Sequence, residues 1–145
     1  MTSPKILPAV AAAIFNAQGE VLLQRRKDVN QWCIISGHVE YGESIQEAIL
    51  REIYEEANVS AKIVRLIGIY SSPDFQTYHY PEQSVQYVTS YFEVKLLEEI
   101  GQDFSKNESF EFRFFNKNDL PQEMALINPH WLEDALDTAN EVFLR

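Results

Sequence analysis

The segment from Gly37 to Val59 constrains this chain more than any other, because Gly37, Glu43, Arg51, Glu52, Glu55 and Glu56 stand in it at the spacing G-x5-E-x7-R-E-x-x-E-E. Within it, Ser44-Ile45-Gln46-Glu47 is a capping-box pattern. The serine hydroxyl and the glutamate carboxylate satisfy the first free N–H groups of a helix, which is therefore expected to begin at about Ile45. Strong helix formers carry it onward, and Asn58, which tolerates the left-handed conformation, ends it after roughly 13 residues. Ile45, Ile49, Ile53 and Ala57, with Ala48 beside them, make one buried stripe. Glu52, Glu55 and Glu56 fall on another face.

Three carboxylates at i, i+3 and i+4 project from one patch of helix, where unscreened like charges repel by a few tenths of a kcal/mol per pair. A cation there removes the repulsion. Arg51 neutralises only part of it and is better placed to reach back to Glu43 as a brace for the preceding loop. Hard oxygen donors on one rigid element suit Mg²⁺ or Mn²⁺, which take a few carboxylates together with waters and phosphate oxygens. Gly37 and Gly42 permit tight backbone turns, so main-chain carbonyls such as that of Ser36 can face the same ions. Taken alone, a run such as Arg51 to Glu56 is a solvated helix face laced with weak ion pairs. Two loop glycines and five charged residues at fixed offsets around a capped helix are what set this segment apart.

Those residues together resemble the signature box of the Nudix hydrolases, enzymes that cleave a nucleoside diphosphate linked to another group. The family's late glycine is Asn58 here, a residue that still adopts positive φ. Upstream, Trp32 to Glu40 is similar to the family's W-x-L-P-G-G-x-V-E, with Ile35 in place of proline and Ser36 in place of the first glycine. The carbonyl at position 36 stays available, since ligation by main chain requires no particular side chain. Val10 to Arg26 and Glu108 to Pro121 also have the family look.

The resemblance implies Mg²⁺-dependent hydrolysis of a pyrophosphate linkage, with Mn²⁺ as a substitute. It implies Ser36, Glu52, Glu55 and Glu56 as metal ligands, Arg51 and Glu43 as braces of the catalytic loop and helix, and Glu52, Glu55 or the later Glu111 as the proton acceptor. The family's substrates differ in loops rather than in the box. A short chain with no added N-terminal domain tilts the expectation towards a nucleoside triphosphate, oxidised ones included, or a small sugar nucleotide such as ADP-ribose. Pro73, in a position similar to the downstream proline of some ADP-ribose hydrolases, adds little. The rival reading is a nucleotide-sensing module that keeps the fold without the chemistry; such a module is expected to lose box carboxylates, and all are present here.

Other residues each have two readings. Arg26 ends a strand and either aims a guanidinium at substrate phosphates or is a solvated strand end. Glu108 and Glu111 stand before and within a late aromatic strand, as metal ligand, base or surface charge. His79 is a proton shuttle or a surface histidine. Phe75, Tyr78 and Tyr80 sit in a long, aromatic, charge-poor stretch from Ser71 to Ser84, where they stack on a base or ribose or pack against a second copy in a homodimer. Cys33, beside Trp32 in an apolar run, reads as a packed small residue.

The 145 residues, 46% of them hydrophobic, are expected to form a single domain with a real core. The longest early apolar run, Ala9 to Phe15, is too short for a membrane span, and a cytoplasmic location without membrane partners is expected. A net charge of −10 argues against nucleic-acid polymers, whose binding is driven by Lys and Arg neutralising phosphates. A small nucleotide arriving with metal remains compatible.

Val10 to Phe15 and Val21 to Arg26 read as a hairpin about the turn Asn16 to Gly19. Ala61 to Tyr70, Ser84 to Leu97 and Phe110 to Phe115 read as further strands. Asn128-Pro129 opens a terminal helix whose apolar side runs through Trp131, Leu132, Ala135, Leu136, Ala139, Val142 and Phe143. Two helices over the two faces of a mixed β-sheet make an α/β/α sandwich of the Nudix type.

Overall fold

The computed structural model describes residues 3–139 and 141–145. In chain order the elements are β1 (Lys5–Ile14), β2 (Val21–Arg26), β3 (Gln31–Cys33), β4 (Ile35–His38), α1 (Ile45–Ala57), β5 (Ala61–Tyr70), α2 (Pro73–Gln76), β6 (Thr77–His79), β7 (Ser84–Leu96), β8 (Ser109–Phe115), α3 (Trp131–Leu136) and β9 (Phe143–Leu144). A mixed sheet has the order β4-β1-β7-β5-β9, with β6 pairing β7, and a smaller antiparallel sheet has the order β3-β2-β8.

The alternation of β1 explains the layers. Val10, Ala12 and Ile14 pack with Ala48, Ile49, Ile53 and Ala57 of α1, while Ala11 and Ala13 pack with Trp131 and Ala135 of α3. One strand with small and branched residues on both faces thus carries a helix on each side, as an α/β/α arrangement requires. Strand β2 joins the same two clusters, Leu22 on the α1 side and Val21 and Leu23 on the other.

Helix α1 begins and ends where its local signals say. Ser44 Oγ accepts from the Glu47 N–H at 3.1 Å and Glu47 Oε1 accepts from the Ser44 N–H at 2.9 Å, completing the capping box. Asn58 is left-handed, φ 56°, with its N–H donating to the Tyr54 carbonyl. An N-cap such as Ser44 stabilises a helix by about 1 kcal/mol.

Three expectations are corrected. The turn at Asn16 to Gly19 forms, with Asn16 Oδ1 accepting from the N–H groups of Gln18 and Glu20, but β1 and β2 share no ladder, only a bridge between Phe15 and Val21. Both edges of β1 are taken by β4 and β7, so β2 starts the second sheet instead. The terminal helix stops at Leu136, and Phe143 and Leu144 pair in parallel with Gly68 and Ile69. An apolar period fitted both helix and strand; the strand forms because Gly68 leaves room for Phe143, whose carbonyl oxygen lies 2.4 Å from where a Cβ would sit. Finally, Ser71 to Ser84 is not a plain loop, since it contains α2 and β6.

Candidate functional site

A cleft of about 900 Å³ runs between the box helix and the aromatic segment after β5. At one end it is lined by Glu52, Glu56 and Glu108 with Ser36 and Gly37, at the other by Tyr78, Tyr80 and Tyr87, and Arg26 also faces it.

Glu56 decides the character of the acidic end. It is only 4% exposed, and Gln24 Nε2, on β2, donates to its Oε1 at 3.0 Å and to Ser109 Oγ at 2.7 Å. Its Oε2 is enclosed and has no hydrogen-bond partner, alone in this among side-chain polar atoms of the described residues. Burial, then the negative charges of Glu52 and Glu108 and the hydrogen-bonding approach of the Glu108 carboxyl, push its pKa up to about 8 against the Gln24 bond that lowers it. Burial likewise raises the pKa of Glu52, in spite of Arg51. A carboxylate sealed beside two others, with one oxygen unpartnered, gathers negative charge that a cation would offset.

Gly37 has its own reason to be glycine. It lies in β4 at ordinary φ, and an added Cβ would stand 2.2 Å from the Glu52 carboxyl carbon, so the missing side chain is the space Glu52 occupies. Gly42 is the one that needs its turn, with φ 88°.

Arg51 is the brace. It donates from Nε to Glu43 Oε2 at 3.0 Å, and from Nη2 to Glu43 Oε1 at 2.7 Å and to the His38 carbonyl at 2.9 Å; from Nη1 it reaches Glu52 Oε1 at 3.0 Å and Glu55 Oε2 at 3.1 Å. These bonds hold its pKa above the ordinary arginine value, and the same pair lowers that of Glu43. Its guanidinium is therefore committed to the loop and helix.

Glu108 is delivered by long-range contacts. The Lys27 N–H donates to its carbonyl at 2.9 Å, and the preceding turn is anchored where the Ser105 N–H donates to the Glu56 carbonyl at 3.0 Å. Glu111 goes elsewhere: it pairs with Arg25 in register while Phe112 pairs with Gln24, so alternation puts it on the sheet face opposite to the Gln24–Glu56 contact, and Arg113 holds it at 3.0 Å.

Of the expected residues, the cleft brings together Ser36, Glu52, Glu56, Arg26, Tyr78 and, from the alternatives, Glu108 and Tyr80. Glu55 does not line the cleft, and its side chain is 55% exposed. Phe75 is part-buried in α2 and does not line the cleft; His79 bonds Ser84 Oγ at 2.7 Å. Arg26 is held by Asp28 in a two-point pair at 2.7 and 3.0 Å. Burial pushes the Cys33 thiol up to about 12, which leaves it inert at neutral pH.

Sequence reasoning passed over Gln24, His38, Gln76, Tyr87 and Asn128. Gln24 had a signal, a polar residue at the end of the apolar run Val21-Leu22-Leu23. His38 and Tyr87 meet only in the fold, stacked at 5.2 Å with Nε2 and the hydroxyl 3.0 Å apart.

The donor set fits a hard divalent cation: carboxylates, one with an unpartnered buried oxygen, and Ser36 on the cleft wall. Among the described residues no three acidic, imidazole or thiol groups close on one point at ligand distance. Arg51 draws Glu52 and Glu55 to itself, and Gln24 draws Glu56.

Residues 5–135 match the family profile described as NUDIX domain. The chain belongs to the Nudix family. The matched range takes in the box helix, the loop before it and every strand but β9. A Bacillus subtilis protein provisionally named 8-oxo-dGTP diphosphatase is 43% identical over 63 residues, which is 43% of this chain and 42% of that protein. An ADP-ribose pyrophosphatase of Methanocaldococcus jannaschii is 34% identical over 120 residues, 79% of this chain and 66% of the other. A crystal structure of a UDP-X diphosphatase is similar at TM-score 0.74 and 29% identity, covering 92% of this chain and 62% of that one. The chain thus spans less than two thirds of the length of these relatives. No helix among the described residues is long and apolar enough to cross a membrane.

Proposed function

We propose that this Nudix protein hydrolyses the pyrophosphate linkage of a nucleoside diphosphate derivative, a nucleoside triphosphate or a small sugar nucleotide such as ADP-ribose, with Mg²⁺ or Mn²⁺. The enclosed, unpartnered Oε2 of Glu56 beside Glu52 and Glu108 carries this reading, because that acidic pocket opens into a cleft of nucleotide size.

Glu52 and Glu56, joined by the exposed Glu55 one turn along the same helix face and by the Ser36 carbonyl, would hold the cation. When bound, it neutralises phosphate oxygens and lowers the pKa of a coordinated water. The protein's own contribution is placement. Arg51 fixes Glu52 and Glu55 through Nη1 and ties the helix to the loop through Glu43 and the His38 carbonyl. Glu108, or Glu52, accepts the proton of the attacking water at a carboxylate oxygen; we assign Glu108 this role ahead of Glu111 because Glu108 lines the cleft and Glu111 is held by Arg113 on the other face. Arg26 presents a planar guanidinium that can exchange Asp28 for two phosphate oxygens.

The test is release of phosphate, pyrophosphate or nucleoside monophosphate from a panel of nucleoside triphosphates and sugar nucleotides, with Mg²⁺, with Mn²⁺ and with chelator. Metal-dependent cleavage of one class is expected. Nucleotide binding in Mg²⁺ without cleavage of any member would overturn the hydrolase in favour of a sensing module.

A further inference from the structure

From the last turn of α1 onward, every second residue catches the connection between β7 and β8, residues 97–108. The Ser105 N–H donates to the Glu56 carbonyl at 3.0 Å, and Asn58 Nδ2 donates to Asp103 Oδ2 at 2.7 Å. The Ser60 carbonyl accepts the Leu97 N–H at 2.9 Å, while the Ser60 N–H donates to Glu98 Oε1 at 2.8 Å. The connection thus runs back along the helix end, and soon after Ser105 comes Glu108, at the cleft. One stretch of chain registers Glu56 and Glu108 against each other.

The middle contact depends on a side chain that ending the helix does not require. Glycine is the residue a left-handed cap favours most, and the box pattern has glycine at this place, so termination of α1 gives no reason for an asparagine at 58. Its amide has another task. Asp103 brings a carboxylate to the negative end of the helix dipole, where the last turn offers no basic residue. The Asn58 amide supplies the donor that holds it there, in a charge-assisted bond. Both side chains are exposed, so the bond adds little to global stability; what it fixes is place. Phe104, the next residue, is 9% exposed and meets Phe112 of β8 edge-on at 5.2 Å, which links Asp103 firmly to the strand that Glu108 precedes.

We propose that Asn58 is a positioning residue: through Asp103 it holds the 97–108 connection in the register that presents the Glu108 carboxylate to Glu56 and the cleft. This rests on the reading of Glu108 as proton acceptor and adds to it the group that sets its place.

Asn58→Gly tests it, because glycine keeps the left-handed cap and removes only the amide. Hydrogen exchange read by mass spectrometry, on metal-free protein without substrate, is expected to be faster in residues 97–108 and unchanged in α1, with a melting temperature lowered by no more than about 3 °C. With the substrate that the panel identifies, kcat is expected to fall about tenfold at unchanged KM. In a Glu108→Gln background Asn58→Gly should cost nothing further, the non-additivity of two residues acting through one group. Asn58→Asp sets two carboxylates face to face and should behave like Asn58→Gly. Adding Asp103→Asn reverses the pair, restores a donor and should return kcat towards wild type. Unchanged exchange in the connection of a folded Asn58→Gly protein would overturn the tether. An unchanged kcat, or an equal loss in the Glu108→Gln background, would overturn its bearing on Glu108. A wild type that cleaves nothing would remove the hydrolase, and the exchange result would then decide the tether alone.

Discussion

Gln24 supplies a hydrogen bond to one oxygen of the Glu56 carboxylate at 3.0 Å and leaves the other oxygen enclosed with nothing to accept from. The pairing orients the carboxylate without neutralising it. With its pKa raised to about 8, the group must take up a proton on folding near neutral pH, which costs stability unless a cation holds the carboxylate in place of that proton. Replacement by an amide should therefore separate stability from activity. In Glu56→Gln the Gln24 bond is retained on Oε1, and the new N–H₂ faces Glu52 and Glu108. In metal-free buffer the variant is expected to unfold later than wild type, by about 1–3 kcal/mol in urea, while metal-dependent cleavage falls by orders of magnitude. Lower stability combined with retained turnover would refute a cation-seeking role for Glu56.

Metal should act as a ligand of the native state. A cation bound only by the folded protein at about a hundredfold above its dissociation constant stabilises by about 2.7 kcal/mol. The wild-type melting temperature is accordingly expected to rise with Mg²⁺ and to return with chelator. The rise should vanish in Glu56→Gln. An equal rise in both proteins would place the stabilising cation elsewhere.

Gly37 and Glu52 form a steric pair, the Cβ position of one lying within 2.2 Å of the carboxyl of the other. Gly37→Ala must displace the Glu52 side chain or the strand, and overpacking of this kind costs about 1–3 kcal/mol. A folded variant with a modest loss of stability, weakened Mg²⁺ binding and reduced cleavage is expected. Wild-type Mg²⁺ affinity in calorimetry would show that the close approach has no functional content.

What could be read from the sequence was what the chain decides locally. Helix α1 is specified by its own residues, Ser44 and Glu47 at one end, Asn58 at the other and a four-residue apolar repeat between them, and the Arg51 to Glu43 brace follows from the same spacing. The burial of Glu56 is not local. It depends on Gln24 from another sheet and on the turn at Ser105, so three carboxylates that look equivalent on one helix end in three environments: Glu55 in solvent, Glu52 part-buried, Glu56 enclosed. Glu108 and Glu111 could not be ranked for a similar reason, because the irregular register between Arg25 and Arg26 sets which way the start of β8 faces. The C-terminal strand was illegible because Phe143 answers to Gly68, far away in sequence.

The C-terminal strand is also held electrostatically, and the sign of its pH dependence can be worked out. Asp134, 1% exposed, receives Arg145 Nη2 on Oδ1 at 2.8 Å and Nε on Oδ2 at 3.0 Å, with Tyr70 donating as well. Burial would raise its pKa, but the Arg145 and Tyr70 hydrogen bonds outweigh burial and hold it below the usual aspartate value. A group whose folded pKa is depressed gives stability that is fully present above its unfolded pKa and is lost as pH falls through the folded one. Asp134→Asn removes the charge-assisted bonds and should cost about 2 kcal/mol at neutral pH. The difference between the two proteins in urea is expected to stay constant down to about pH 5 and to shrink steadily below about pH 4, as the aspartate of the unfolded wild type takes up a proton that the native carboxylate still refuses, and to vanish once the native carboxylate is protonated too. A difference that persists undiminished to the lowest pH at which both proteins fold would mean that packing, and not the ion pair, anchors the strand.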